Sequence, residues 1–284
     1  MNLTDRAEVN GLLERYGLAP KKGRGQNFLA NGNVVRDIAS LCGDGGLCVI
    51  EIGPGVGAMT AELAKLYKKV LAIEVDTDLI PLLSETLSEF DNVEVICADA
   101  MKTELPALVR EKFPGERVCV CANLPYYITS PLIMKLLDAS ECFESVTVMI
   151  QKEVADRFCA APGTAEYGAI SLAVQYKAEV EKCFSVSPGN FIPPPKVTSS
   201  VIRMNIRKNP PVTPRSPENM FDIIHAAFAQ RRKTLLNALR SAGTKYTKEE
   251  IEDAIVKAGL PSDVRGERLG LEEFSRLSDL ITMK

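Results

Sequence analysis

The sequence predicts an α/β fold: a mostly parallel sheet with helices on both faces and an antiparallel terminal strand, followed by a small C-terminal all-helical domain. Three observations carry this. Five short apolar runs, Leu47–Ile52, Val70–Val75, Val93–Ala98, Val118–Ala122 and Val146–Gln151, are separated by segments of helical period, the alternation expected of parallel strands joined by crossover helices. Two further strand runs, Val180–Val186 and Ser200–Ile206, lie a loop apart, a spacing that suits antiparallel pairing. Beyond Pro210-Pro211-Val212-Thr213-Pro214, a linker by composition, only helical patterns remain. The expected domains are 1–209 and 215–284.

Taken in order, residues 1–20 read as a short amphipathic helix, 21–33 as a Gly/Asn/Lys-rich loop and Val34–Leu41 as a helix. Helices Met59–Tyr67, Leu79–Phe90, Pro106–Phe113 and Pro131–Ala139 fill the gaps between the first five strands. Two helical stretches, Glu153–Ala160 and Gly168–Tyr176, precede the last two strands. The C-terminal helices are expected over Glu218–Ala229, Arg232–Ser241, Lys248–Ala258 and Leu271–Ile281.

The chain has 284 residues, 46% of them hydrophobic, in the range of a soluble globular protein. The apolar runs are too short for a membrane span, and Met1-Asn2-Leu3-Thr4-Asp5-Arg6 lacks the apolar core of a signal peptide, so a cytoplasmic protein is expected. Eight cysteines include no C-x-x-C pair, and there is a single histidine, His225. Buried free thiols are expected, with neither disulfide framework nor metal. Net charge is −3, which by itself disfavours a polyanionic partner. The distribution argues otherwise: Lys196 to Arg240 holds nine basic residues against Glu218 and Asp222, a local charge of +7, and Lys21-Lys22-Gly23-Arg24 is a second basic cluster. A basic face on an acidic chain suits nucleic acid.

The chemistry sits at strand ends, where open α/β sheets bind ligands. The first strand runs into Glu51-Ile52-Gly53-Pro54-Gly55-Val56-Gly57-Ala58, a glycine turn that lets a ligand approach the backbone and a helix N-terminus. Gly53 and Gly55 are the cofactor-contacting candidates. Position 58 is alanine where the dinucleotide fingerprint has glycine or alanine, so this spacing alone leaves NAD open. The second strand ends in Glu74, placed to take both ribose hydroxyls. The third is followed by Asp99, an acceptor for an adenine amine. One cofactor combining adenosine and a carboxylate satisfies all three; S-adenosylmethionine is such a molecule. The fourth strand runs into Asn123-Leu124-Pro125-Tyr126. An amide, backbone carbonyls and an aromatic face suit an exocyclic amine on a flat base, although a proline-terminated turn with a packed tyrosine would use the same residues.

With these motifs assembled, the chain resembles the ribosomal RNA adenine N6-dimethyltransferases, and more closely their small-subunit branch, the bacterial KsgA (RsmA) enzymes and eukaryotic Dim relatives. The resemblance runs from Gly25-Gln26-Asn27-Phe28-Leu29 through the motifs above to Phe191-Ile192-Pro193-Pro194-Pro195-Lys196-Val197 and Arg231-Arg232-Lys233-Thr234-Leu235. It implies a Rossmann-like class I methyltransferase that uses S-adenosylmethionine. Asn27 and the Leu29 backbone would close over the cofactor. Gly53 would lie against its methionine part, Glu74 against the ribose and Asp99 against the adenine, with Asn123 serving both pockets. The implied activity is N6-dimethylation of two adjacent adenosines in a loop near the 3′ end of small-subunit (16S) rRNA, with a role in subunit biogenesis. Tyr127 differs from the smaller polar residue common there and carries no functional weight in this reading.

Asn123 and a carbonyl near Leu124-Pro125 are expected to bind the two amine hydrogens and aim the nitrogen lone pair at the methyl donor. Tyr126 and Phe191 are expected to stack on the extruded base. The expected catalytic set is therefore Asn123, Pro125, Tyr126 and Phe191. RNA contacts are expected from Lys21, Lys22, Arg24, Lys196, Arg231, Arg232 and Lys233. The partners implied are the small ribosomal subunit and its RNA, with a monomeric enzyme and no membrane. Three other readings share these features: a large-subunit methyltransferase of the macrolide-resistance type, a non-catalytic assembly factor and an NAD oxidoreductase. Leu124 and the Arg231–Leu235 stretch favour the small-subunit branch, and the intact polar residues favour catalysis.

Overall fold

The structure, a computed structural model, describes residues 1–21, 23 and 25–283. Its elements are α1 (Arg6–Arg15), β1 (Phe28–Leu29), α2 (Gly32–Leu41), β2 (Cys48–Ile52), α3 (Ala58–Leu66), β3 (Lys69–Glu74), α4 (Ile80–Thr86), β4 (Val93–Cys97), α5 (Leu105–Lys112), β5 (Val118–Asn123), α6 (Thr129–Asp138), β6 (Ser145–Gln151), α7 (Lys152–Cys159), α8 (Ala169–Lys177), β7 (Ala178–Val186), β8 (Phe191–Ile192), β9 (Ser199–Ile206), α9 (Pro217–Ala229), α10 (Leu235–Ser241), α11 (Lys248–Lys257) and α12 (Leu271–Ser278).

The main sheet has seven strands in the order β4-β3-β2-β5-β6-β9-β7. Strands β4 to β6 pair in parallel, and β9 runs antiparallel to β6. This is the mostly parallel α/β sheet that the sequence predicts. β2 and β5 at its centre are wholly buried except Asn123, which is why they read as apolar runs, broken in β2 only by Glu51. The order reverses at β2, whose neighbours are β3 and β5. Their C-terminal ends therefore diverge and leave a crevice. Core side chains on one face join Val35, Ile38, Leu63 and Phe191; a second cluster joins Leu12, Val56, Leu82 and Phe28.

Local signals set several boundaries. Asp76 caps a short 3-10 turn, Thr77–Leu79, so α4 begins later than the apolar period suggests. The hydroxyl of Thr234 accepts the Asn237 N–H, starting α10 after the Arg231–Lys233 triplet rather than within it. The two-residue ribbon of β1 and β8 pairs Phe28 with Ile192 and Leu29 with Phe191. It is too short to leave a period in the sequence.

The chain forms two compact units, Met1–Ala155 with Glu179–Ile206, and Asp156–Ala178 with Arg207–Lys284. The expected boundary near 209–215 therefore misplaces Asp156–Ala178, which belongs with the C-terminal helices. Aromatic packing explains the assignment. Tyr167 packs edge-on against Phe228 at 5.8 Å, and Tyr176 against Phe221 at 5.3 Å. The Tyr167 hydroxyl donates to Leu269 O at 2.8 Å, and the Arg207 guanidinium donates to Gln175 O at 3.1 Å. With only α9–α12, these aromatic faces of the helical unit would lack partners.

Candidate active site

A cavity of ≈ 130 Å³ opens at the C-terminal ends of β2, β3 and β5 in the α/β unit. Its walls include Asn27, Phe28, Leu29, Gly53, Gly55, Glu74, Asp99, Asn123, Pro125, Tyr126 and Phe191. Every residue expected to contact cofactor or base thus borders one space, although these residues span much of the unit's sequence.

The floor is the glycine turn. Gly53 and Gly55 both have left-handed backbones, with φ of 75° and 60°. At Gly55 a Cβ would come within 2.9 Å of the Phe28 ring, whereas at Gly53 the nearest atom, Asn123 O, is 3.9 Å away. Gly55 is therefore required by backbone and packing together, and Gly53 by its backbone alone. The turn leads into α3, whose first N–H groups favour an anion.

Three carboxylates line the cavity, in different environments. Glu74 is 5% exposed. Its Oε1 accepts the Asp76 N–H at 2.7 Å, and the Gly55 and Val75 N–H groups also favour its charge. Burial pushes its carboxyl above the usual range while these backbone donors pull it back. Asp99 is held by its own turn: Oδ1 accepts the Met101 N–H at 2.9 Å. Glu51 is 0% exposed, and neither carboxylate oxygen has a hydrogen-bond partner among the described residues. Burial pushes it up to about 8, the Thr60 hydroxyl drawing it partly back. The signal for Glu51 was present in the sequence, as an acid inside the otherwise apolar run of β2.

The tetrapeptide is fixed at several points. The Leu124 N–H donates to Met149 O at 3.1 Å. Pro125 O accepts both the Ile128 N–H and the Thr129 hydroxyl. Asn123 Nδ2 donates to Asn27 O at 3.1 Å, while Asn27 Nδ2 donates to Gly25 O at 3.0 Å. The first of these bonds orients the Asn123 amide and leaves its Oδ1 as an acceptor. The Tyr126 hydroxyl and Ser199 Oγ lie 3.0 Å apart. Tyr127, given no weight from the sequence, borders the cavity and is 62% exposed.

Some expected residues are engaged elsewhere. Phe191 borders the cavity but is 1% exposed and packs into the core, so it offers a base no open face; pairing of β8 with β1 holds it inward. Lys21 Nζ is bound to Asp76 and Asp78 at 2.7 and 2.6 Å, and Gln26 Nε2 also donates to Asp76, at 2.9 Å. Lys21 thus ties the N-terminal arm to the end of β3. Lys22 and Arg24 lie outside the described residues. Lys196 is exposed in the loop after β8. In the helical unit Arg231 donates to Glu267 at 2.8 Å and to Thr164 O at 3.0 Å, joining segments of that unit. Arg232 and Lys233 are exposed, and Lys233 borders a shallow recess with Asn237, Arg240 and Ser241.

Residues 18–281 match the family described as ribosomal RNA adenine dimethylase. The chain belongs to this family. Adenine dimethylase is thus its enzyme class, and the strand-end cavity lies where an α/β enzyme of this kind holds its reactants. The chain is 45% identical over 281 residues to ribosomal RNA small subunit methyltransferase A of Shouchella clausii, covering 97% of this chain and 94% of the relative. It is 47% identical over 277 residues to the protein of the same name from Geobacillus thermodenitrificans, covering 95% and 94%. Among solved structures, a dimethyladenosine transferase from Plasmodium falciparum aligns with a TM-score of 0.73 at 27% identity, over 88% of this chain and 95% of that one. The 23S rRNA methyltransferase ErmE aligns at 0.70 and 28% identity, over 89% and 99%. No group of residues suited to a metal ion occurs among those described, and no helix there is long and apolar enough to cross a membrane.

Proposed function

We propose that this adenine dimethylase methylates N6 of two adjacent adenosines near the 3′ end of small-subunit rRNA, with S-adenosylmethionine held in the strand-end cavity. The observation that carries the proposal is the Asn123 amide, oriented by Asn27 O so that its acceptor oxygen is free beside the carboxylate-lined cavity. Identity to small-subunit methyltransferases over nearly the whole chain supports the choice of RNA.

The residues present fit the cofactor. Glu74 is buried, ionisable and braced by backbone donors, suited to a ribose diol. Asp99 borders the same space on the β4 side, suited to the adenine amine. Glu51 leaves buried acceptors without a partner, suited to a positive group. When bound, the cofactor supplies an electrophilic methyl.

The chain's own contribution is position. Asn123 Oδ1 takes one hydrogen of the adenine amine. Pro125 O already accepts two protein donors, so the second acceptor is the Leu124 carbonyl. These two acceptors draw the nitrogen lone pair out of conjugation and aim it along the transfer line. Tyr126, tethered through Ser199, supplies one stacking face. With Phe191 packed inward, exposed Tyr127 is the second aromatic at the mouth. The helical unit contributes phosphate contacts through Arg232 and Lys233, with Arg231 as their support.

The test is transfer of labelled methyl from S-adenosylmethionine to unmethylated small and large ribosomal subunits, with the product base identified by mass spectrometry. Dimethyladenosine in the small subunit alone is the expected result. Label confined to the large subunit would overturn the choice of RNA. No label despite cofactor binding would overturn catalysis on mature subunits.

A further inference from the structure

The cavity holds two deeply buried carboxylates, and only one is used by the fold. Glu74 receives the Asp76 backbone N–H, with the Gly55 and Val75 N–H groups also favouring its ionised form. Glu51 receives none. Both its oxygens are sealed from solvent and unpartnered, yet the residue lines the cavity. Its neighbours across the sheet are Ala72 on β3 and Cys121 on β5.

The groups around Glu51 give its charge little support. From β3 comes the Glu74 carboxylate, which disfavours a second negative charge. From β5 comes Cys121, whose thiol is pushed well up by the Cys42 thiol and by burial and so stays protonated. From α3 comes the Thr60 hydroxyl, which draws the carboxyl partly back but makes no hydrogen bond among the described residues. Beyond β4, Asp99 adds a further acid to the cavity wall, and no lysine, arginine or histidine lines the cavity among the described residues. An isolated buried carboxylate in such a place takes a proton rather than hold a charge.

We propose that Glu51 stands as a neutral carboxylic acid in the ligand-free protein and releases its proton when a positively charged part of the cofactor enters, so that cofactor binding is coupled to proton release. This rests on the cofactor assignment above. Its chemistry is that of a buried counter-ion formed on demand: the O–H bond breaks, the proton passes to buffer, and the carboxylate left behind pairs with the incoming cation. Burial pushing Glu51 up to about 8 is consistent with the neutral resting state near pH 7. S-adenosylmethionine offers two cationic groups, its sulfonium and its ammonium. The demethylated product, S-adenosylhomocysteine, retains only the ammonium.

Isothermal titration calorimetry of the full chain at pH 7, in buffers of different ionisation enthalpy, counts the protons released with each ligand. Wild type is expected to release up to about one proton more per S-adenosylmethionine bound than Glu51→Gln, a difference that cancels the ligand's own titration. The wild-type-to-variant affinity ratio is expected to rise by up to roughly tenfold per pH unit from pH 6 to 8, then level. The same excess release with S-adenosylhomocysteine supports the proposal and assigns the ammonium as partner; excess with S-adenosylmethionine alone supports it and assigns the sulfonium. Binding heats with equal proton counts and parallel pH profiles would overturn the role of Glu51 while leaving the cofactor assignment intact. Absence of binding heat with wild type would overturn both. Should Glu51→Gln fail to fold, infrared difference spectra of wild type decide: a protonated-carboxyl band lost on saturation supports the proposal, and no such loss overturns it.

Discussion

The α/β unit and the helical unit handle charge in opposite ways. In the first, three acids border a cavity, two of them buried, and no cation lines it among the described residues. In the second, Arg232, Lys233 and Arg240 are exposed, while a neighbour of the same chemistry, Arg231, is tied to Glu267. Buried charge is few in number and fixed in geometry, so each group has a distinct task. Exposed charge is more interchangeable, and only its pairing separates a ligand contact from a brace.

The contrast breaks most readily at Asn123. Asn123→Ala is expected to lower single-turnover methyl transfer by at least about 100-fold, with RNA affinity in a filter-binding assay nearly unchanged. Loss of both would show that the cavity mouth and the RNA surface are not separable. The next effect concerns stability in the ligand-free protein. Glu51 is raised from 4.5 to about 8 on folding, so between those values the folded state binds more protons than the unfolded one. Stability therefore falls as pH rises from about 4.5 to 8 and levels above that, by an amount on the order of a few kcal/mol. Denaturant melts of Glu51→Gln against wild type should show this component vanish, leaving the variant relatively more stable at pH 8 than at pH 5.

Smaller effects sharpen the comparison. Gly55→Ala combines a left-handed φ with a contact to Phe28 and is expected to cost about 1–3 kcal/mol of stability; thermal melts and cofactor titration should both register it. Arg231→Ala removes the guanidinium that Glu267 and Thr164 O share. It should destabilise the helical unit by about 1–3 kcal/mol and leave the salt dependence of RNA binding close to wild type. Arg232→Ala with Lys233→Ala should do the reverse, keeping the melting temperature while the slope of log K against log salt falls by roughly 0.7–0.9 per residue. Equal slopes for the two sets of variants would erase the distinction between brace and contact.

The same contrast explains what the sequence could disclose. β5 was legible because Val118–Ala122 is an apolar run ending in an amide, and a buried parallel strand leaves that signature. The glycine turn, the acid that ends β3 and the acid that follows β4 were legible because cofactor chemistry is concentrated at strand ends. Arg231 and Arg232 look alike in the chain, since the partner that separates them lies 36 residues beyond Arg231. Tyr167 and Tyr176 gave no sign of belonging to the helical unit, because their partners Phe228 and Phe221 lie beyond three intervening strands, β7, β8 and β9. Phe191 next to a proline run suggested a presented ring, yet its pairing with Leu29 turns it inward. Glu51 was visible as a letter and invisible as a chemical group, since an orphaned carboxylate is defined by what fails to surround it.

The ribbon of β1 and β8 bears on the protein's own synthesis. Phe28 and Leu29 are made early, yet their partners Ile192 and Phe191 are added only after all three cavity acids and the Asn123 tetrapeptide. A nascent chain halted just before Phe191 therefore carries most of the binding chemistry without the segment that completes its wall. The wall of the cavity is therefore complete only after Phe191 has been added, about two-thirds of the way along the chain, and a product cut short before it lacks part of that wall.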